Sequence, residues 1–293
     1  HSYFMTNYQV LDLTKASTNL HGNKNFKLKL NLEKAKSTQK STLISFGGAY
    51  SNHISALAEI GKANGFRTVG VIRGEELGKN LQLTLSNNPS LQKAHLNGMH
   101  FKFISRETYR QKNSSQFIKL LQNEFPNSYI IPEGGTNDLA VKGCEEILTQ
   151  ETSSFNFICC PVGTGGTISG IINASKSHQT VLGFPALKGD FLNSEIKKYT
   201  NKTNWRLITD YHFGGYAKIN EALVTFINNY KKSKNILLDP IYTAKMIFGL
   251  EDLIQLGYFP QNSRILAIHT GGLQGISGMN TLLSKKGLPT IEI

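Results

Sequence analysis

Three short segments of this 293-residue chain bring together side chains able to do chemistry. Gly22-Asn23-Lys24-Asn25-Phe26-Lys27 sets one lysine three residues before another, so both fall on one face if a helix runs onward from Asn25. A lysine that attacks a carbonyl must be neutral, and a neighbouring cation or desolvation lowers its pKa toward that state. Lys24 and Lys27 can share one phosphorylated aldehyde, with Lys24 at the carbonyl and Lys27 at the phosphate. A solvated helix start in a lysine-rich stretch is the competing reading of the same residues.

Gly163-Thr164-Gly165-Gly166-Thr167 follows the apolar run Phe157–Val162 and opens a helix. Backbone N–H groups and the positive helix end converge there, and a phosphate would also accept from the hydroxyls of Thr164 and Thr167. A plain structural turn is one alternative and a dinucleotide loop another. The GxGxxG pattern fails because Ile168 takes the third glycine position, and no GxxxxGK[ST] occurs, which favours a monophosphate site. Ser51-Asn52-His53 follows Gly47-Gly48-Ala49-Tyr50 at a strand-to-helix junction, where side chains and helix N–H groups bind a carboxylate or a ring oxygen. Helix capping alone also explains a Ser-Asn pair there. His53 has no HExxH or Cys/His company that would make it a metal ligand.

The elements that must position these residues alternate. Strand-like runs are Thr42–Phe46, Thr68–Ile72, His100–Ile104, Tyr129–Pro132, Phe157–Val162, Val181–Phe184, Arg206–Thr209 and Arg264–Thr270. Helical spacing occupies Ile54–Asn64, Thr108–Asn123, Asp138–Thr149, Thr167–Ser175, Lys218–Asn229, Ala244–Leu256 and Leu273–Leu283. The fold class is therefore α/β, open twisted sheets of mostly parallel strands flanked by helices. Ligands in such sheets sit beyond the carboxyl ends of the strands, where Gly47-Gly48, Gly163 and Gly271-Gly272 fall, so these three loops are expected to converge on one crevice.

Composition narrows the class. With 39% hydrophobic and 18% charged residues, a chain of this length buries a large core, and disorder is excluded. The formal charge of +12 comes from dispersed lysines without a nucleic-acid recognition motif, which reads as a solvated basic face with no nucleic-acid partner. Cys144, Cys159 and Cys160 have no ligand spacing and read as buried reduced thiols, hence a cytoplasmic protein without structural metal. No apolar run is long enough for a membrane span, and no charged-then-apolar leader is visible.

Taken together, the segments resemble the pyridoxal-phosphate enzymes that include 1-aminocyclopropane-1-carboxylate deaminase and D-cysteine desulfhydrase, within the tryptophan-synthase-β-like fold type II. The resemblance runs from about Asn23 to Gly272, nearly the whole chain. It implies pyridoxal 5'-phosphate as cofactor, Lys24 as the Schiff-base lysine, Lys27 near the phosphate, and Gly163, Thr164, Gly165, Gly166 and Thr167 as the phosphate cup. Ser51 and His53 are implied at the substrate carboxylate and Asn52 at the cofactor hydroxyl. Tyr216, after Phe213-Gly214-Gly215, and Tyr242, within Asp239-Pro240-Ile241-Tyr242-Thr243, resemble tyrosines that the family places over the substrate, where a tuned phenol can assist a leaving group.

The deaminase pattern has glutamate after the second tyrosine and leucine before the final Gly-Gly. Thr243, at the substrate end, and Thr270, at the cofactor, are the desulfhydrase-like choice. A carboxylate at the pyridine nitrogen would keep the ring protonated, whereas a threonine leaves it largely neutral. The resemblance thus implies a lyase acting on a small amino acid, most simply D-cysteine β-elimination, as a homodimer. The expected domains are a large one, residues 1–32 and 133–293, and a small mobile one, residues 33–132. A deaminase or racemase-like enzyme on another small amino acid is the alternative within the fold, and a basic binding protein that kept the fold and lost the chemistry is the alternative outside it. The family's basic-acidic segment before GNK is replaced by Leu11-Asp12-Leu13-Thr14, from which looser N-terminal packing is expected.

Overall fold

The computed structural model describes residues 8–15 and 21–293. The chain divides into two units, one of residues 1–27 with 140–293 and the other of residues 28–139. Along the described chain run the strands β1 (Tyr8–Asp12), β2 (Thr42–Gly47), β3 (Arg67–Arg73), β4 (His100–Ile104), β5 (Ser128–Ile130), β6 (Phe157–Val162), β7 (Thr180–Pro185), β8 (Trp205–Leu207) and β9 (Ile265–His269).

In the first unit the strand order is β1-β9-β6-β7-β8, and every pairing is parallel. Parallel strands covered on both faces read as unbroken apolar runs rather than alternating ones. Phe157-Ile158-Cys159-Cys160-Pro161-Val162 and Ile265-Leu266-Ala267-Ile268-His269 are such runs. Pairing of β6 with β9 stops at Cys159–Ala267, while pairing with β7 continues to Val162–Pro185. Pro161, which has no N–H to donate, falls beyond the last β6–β9 pair. From β6 the chain passes to β7 on one side, whereas β9 lies on the other, so the order reverses between β6 and β9. The loops after these two strands flank a topological switch point, the place where open α/β sheets bind ligands.

The second unit repeats the device. Its order is β4-β3-β2-β5, all parallel, with the reversal between β2 and β5. The loop carrying Ser51 follows β2 and the loop Ile131–Gly135 follows β5. The three glycine loops expected in one crevice are thus distributed over two sheets: Gly163 and Gly271 in the first unit, Gly47-Gly48 in the second.

Several expected elements differ. The helix expected over Thr108–Asn123 is two, Arg106–Arg110 and Ser115–Glu124, because the Ser114 hydroxyl accepts from Phe117 N and starts a new helix. Asp138–Thr149 is helical only to Cys144 and continues in 3-10 turns. The stretch Leu273–Leu283 opens with a 3-10 turn before the helix Ile276–Lys285. Asn220 caps Leu223 N, so the helix expected from Lys218 begins at Glu221 and runs to Lys234. Helices Leu81–Asn87, Pro89–Leu96 and Phe191–Lys197 and strand β1 carried too short a pattern to be expected.

Strand β1 also corrects the reading of the N-terminal stretch. It pairs with β9 from Tyr8–Ile265 to Asp12–His269. Asp12 Oδ1 then accepts from both the N–H and the hydroxyl of Thr14 (2.9 and 2.6 Å). At the other end the Tyr8 hydroxyl donates to Glu251 Oε1 (2.6 Å) and shares a 3.0 Å bond with the Tyr230 hydroxyl. Burial and the Glu251 carboxylate hold this phenol protonated far above its ordinary range. Tyr8→Phe leaves that carboxylate short of a donor and is expected to lower unfolding free energy by about 1–2 kcal/mol in a urea titration, without loss of cofactor.

Candidate active site

Strand β6 delivers Gly163–Thr167 to the switch point, and Gly165 turns the chain there. Its left-handed φ of 89° makes it the N-cap of the helix Gly166–Ala174. The first N–H groups of that helix have no intrahelical acceptor, so they and the helix dipole favour an anion. Around them, Asn23 Nδ2 donates to Thr167 Oγ1 (2.8 Å) and Lys27 Nζ donates to Thr164 Oγ1 (3.4 Å).

Both lysines sit on the first turns of the helix Asn23–Ser37, Lys27 with 2% of its surface exposed. Burial draws the Lys24 amine down to about 8, opposed by Cys144. Lys27 is pushed well below the ordinary lysine range, first by burial and then by the charge of Lys24. Neither neighbouring thiol compensates, since burial raises Cys144 to about 11 and Cys160 well above its usual value. At pH 7 roughly a tenth of a Lys24 amine titrating near 8 is neutral, against about three in ten thousand for an unperturbed lysine.

The residues present fit a phosphorylated aldehyde. A phosphate at the helix start would meet backbone N–H donors, two threonine hydroxyls and the Lys27 charge, offsetting the cost of burying the Lys27 ammonium, while Lys24 supplies the nucleophilic amine. Pyridoxal phosphate supplies an electron sink at the substrate α-carbon when bound.

The loop after β9 locks the lysine helix in place. Asn23 N donates to Thr270 O (3.0 Å), and a Cβ built on Gly22 (φ 55°) would lie 2.1 Å from that oxygen, so only glycine fits. His269 Nε2 lies 2.8 Å from the Leu237 carbonyl, which requires the proton on Nε2 and leaves Nδ1 to accept from Gly271 N (3.1 Å). Thr243, with none of its surface exposed, has its hydroxyl 3.5 Å from the same Nδ1. Tyr242 lies against the cup, because a Cβ on Gly163 would come 3.1 Å from its Cε1 and 3.3 Å from its hydroxyl. Tyr216 meets Tyr242 edge to face with centroids 6.1 Å apart.

Ser51, Asn52 and His53 belong to the second unit. Ser51 is the N-cap of the helix Asn52–Ala63, its hydroxyl accepting from Ile54 N at 3.3 Å, so the capping reading holds for this side chain. Asn52 is buried, and its Oδ1 has no hydrogen-bond partner among the described residues. The Ser45 hydroxyl donates to Ile131 O (2.8 Å) and therefore accepts from His53 Nε2 (2.7 Å), which fixes the His53 tautomer. A Cβ on Gly135 would touch the His53 ring at 2.9 Å. The structure thus brings Lys24, Lys27, Gly163–Thr167, Thr270, Tyr216, Tyr242 and Thr243 into one unit and gathers Ser51, Asn52 and His53 in the other.

The model of the family described as pyridoxal-phosphate dependent enzyme matches residues 18–271. The chain belongs to that family. It is 31% identical over 283 positions, covering 87% of this chain and 81% of the relative, to a Pyrococcus abyssi protein that bears the provisional name 1-aminocyclopropane-1-carboxylate deaminase. A bifunctional D-cysteine desulfhydrase/1-aminocyclopropane-1-carboxylate deaminase of Arabidopsis thaliana mitochondria is 29% identical over 88% of this chain and 70% of its own length. D-cysteine desulfhydrase of Klebsiella pneumoniae is 26% identical over 86% and 82%. Among solved structures, an ACC deaminase homologue superposes with a TM-score of 0.79 at 23% identity, over 96% of this chain and 88% of that one. Threonine deaminase isoform 2 of Solanum lycopersicum gives 0.67 at 14% identity over 97% and 84%. These likenesses establish the type II fold, and the chain is a pyridoxal-phosphate dependent lyase of the deaminase and desulfhydrase group.

Sequence reasoning missed several polar residues that support these candidate side chains. Ser45 within β2 and His269 at the end of β9 are polar residues in mainly apolar parallel strands, a signal that could have found them. Asn23, whose side chain donates to Thr167, stands beside Lys24 in the sequence, whereas Asp239 gives no sequence sign of its burial. Among the described residues no group of His, Cys, Asp and Glu could hold a metal ion, and no helix is long and apolar enough to cross a membrane.

Two outcomes are expected from this geometry. Gly22→Ala should lower thermal stability by roughly 1–3 kcal/mol and weaken cofactor retention, read by denaturation and by absorbance. Capture of added pyridoxal phosphate by cofactor-free protein should accelerate about tenfold per pH unit below 8 and level off above it, because only the neutral Lys24 amine reacts. Stopped-flow absorbance against pH checks the profile.

Proposed function

We propose that this enzyme catalyses β-elimination of D-cysteine, taking D-cysteine and water to pyruvate, hydrogen sulfide and ammonia. The observation that carries the choice is the buried Thr243 at the position where the deaminase pattern has glutamate. Its hydroxyl faces Nδ1 of His269, whose Nε2 donates to the Leu237 carbonyl, and the carboxylate of Asp239 is occupied by three backbone N–H groups. This wall therefore offers the Thr243 hydroxyl rather than a carboxylate. Such a setting suits expulsion of a good leaving group more than opening of a carbon ring.

In this reading Lys24 removes the α-proton, which an amine titrating near 8 can accept and return. Tyr242, pressed on the cup at Gly163, and Tyr216 beside it give a proton to the departing thiolate. Ser51 binds the substrate carboxylate, and His53, its Nε2 proton committed to the Ser45 hydroxyl, meets that carboxylate through Nδ1 only when the ring carries a second proton. Asn52, with its orphaned carbonyl oxygen, holds the cofactor hydroxyl. The sister names among the relatives leave deamination of 1-aminocyclopropane-1-carboxylate as the second reading.

The test is to incubate the holoenzyme separately with D-cysteine, L-cysteine and 1-aminocyclopropane-1-carboxylate, assaying sulfide and the keto acid. Sulfide from D-cysteine, at a kcat/KM at least about tenfold above the other substrates, is expected. Release of 2-oxobutyrate from the cyclopropane acid with no sulfide from D-cysteine would reverse the assignment. Lys24→Ala should abolish both the visible absorbance of the holoenzyme and turnover.

A further inference from the structure

Lys245, in the helix Thr243–Gln255, is 2% exposed and has no part in the chemistry described so far. Its Nζ donates to the carbonyl oxygens of His212 (3.0 Å) and Gly215 (2.9 Å). These carbonyls belong to the turn that presents Tyr216, and that turn is unfavourable on its own. Phe213 (φ 54°), Gly214 (93°), Gly215 (119°) and Ala217 (55°) all lie in the left-handed region, which phenylalanine and alanine seldom enter. A backbone held there needs support from its surroundings.

The same helix starts beside Tyr242, and its first turn is gripped by the wholly buried Asp239. That carboxylate accepts from the N–H groups of Ile241 (3.0 Å), Tyr242 (2.8 Å) and Thr243 (2.7 Å). Attraction to Asp239 opposes the burial that draws Lys245 down to about 8. A buried acid and a buried base therefore flank Tyr242. Asp239 fixes that residue through its backbone, and Lys245 reaches across to the turn of Tyr216.

We propose that Lys245 is a positioning residue of the active site: by tying the His212–Gly215 turn to the helix that begins at Tyr242, it holds the Tyr216 phenol against Tyr242 in the arrangement that serves the leaving group. The inference rests on the proposed use of these tyrosines in β-elimination. Lys245 acts through Tyr216 and touches neither substrate nor cofactor.

Lys245→Met keeps the length of the side chain and removes its donors, while Lys245→Gln retains two N–H donors. Hydrogen exchange in the holoenzyme reads the Gly215 and Lys218 amides, which are bonded within the turn. Turnover of D-cysteine is measured in parallel. K245M is expected to speed exchange over residues 212–218 by roughly tenfold or more and to lower kcat by about tenfold with KM little changed. K245Q should recover part of both. In a Tyr216→Phe background K245M should cost less than about threefold in kcat, because its effect passes through the missing hydroxyl. Unchanged exchange in K245M, or losses that multiply fully in the double variant, would overturn the proposal. Lys245→Ala, with room for water at the two carbonyls, replaces K245M if that variant does not fold. Exchange is read without substrate, so a wild-type enzyme silent toward D-cysteine counts against the proposed reaction and not against the tether.

Discussion

Two lysine amines one helical turn apart, Lys27 buried and Lys24 half-buried, beside a helix start whose first N–H groups have no intrahelical acceptor, are the constraint around which the first unit is arranged. Lys24 and Lys27 are depressed chiefly by desolvation, and Lys27 further by its neighbour, while thiols rather than carboxylates stand nearby. An excess of buried positive charge is costly unless an anion arrives, and the glycine cup supplies donors for one. The same electrostatic cost keeps a fraction of Lys24 neutral and reactive at physiological pH. Affinity for a phosphorylated cofactor and activation of the amine are thus one physical effect.

Sheet topology puts these parts within reach of one another. The reversal of strand order between β6 and β9 brings the cup and the Thr270 loop to neighbouring carboxyl ends, and Gly22 lets the lysine helix start against the Thr270 carbonyl. In the second unit the reversal between β2 and β5 brings Ser45, His53 and the Ile131–Gly135 loop together. In each unit polar side chains gather at the loops that follow the strands flanking the switch point.

Around the reactive groups, polar side chains in the apolar interior act on the backbone more than on ligands. Asp239 caps a helix start, His269 bridges Leu237 to Gly271, and Lys245 braces a turn of positive φ. Buried polar groups that are fully hydrogen-bonded hold one geometry at modest cost, whereas a half-satisfied set would be expensive. Two tyrosines on different loops are held at a fixed mutual angle by such groups.

The sequence by itself determined the α/β class and most strand positions and singled out Lys24 and the Gly163–Thr167 loop as candidates, because apolar runs, glycine where φ is positive and hydroxyls at a helix start are local chain chemistry. It failed where two local signals compete, as at Ser114, whose cap cuts an apparently continuous helix, and at β1, whose five residues become a strand only by pairing with β9. Tertiary structure alone decided which side chains are desolvated. Lys24 and Lys245 are both lysines in lysine-bearing segments, yet packing makes one an amine beside an anion cup and the other a strut between two carbonyls. Burial and partner choice arise from residues distant in the chain, and no window of neighbouring letters carries that information.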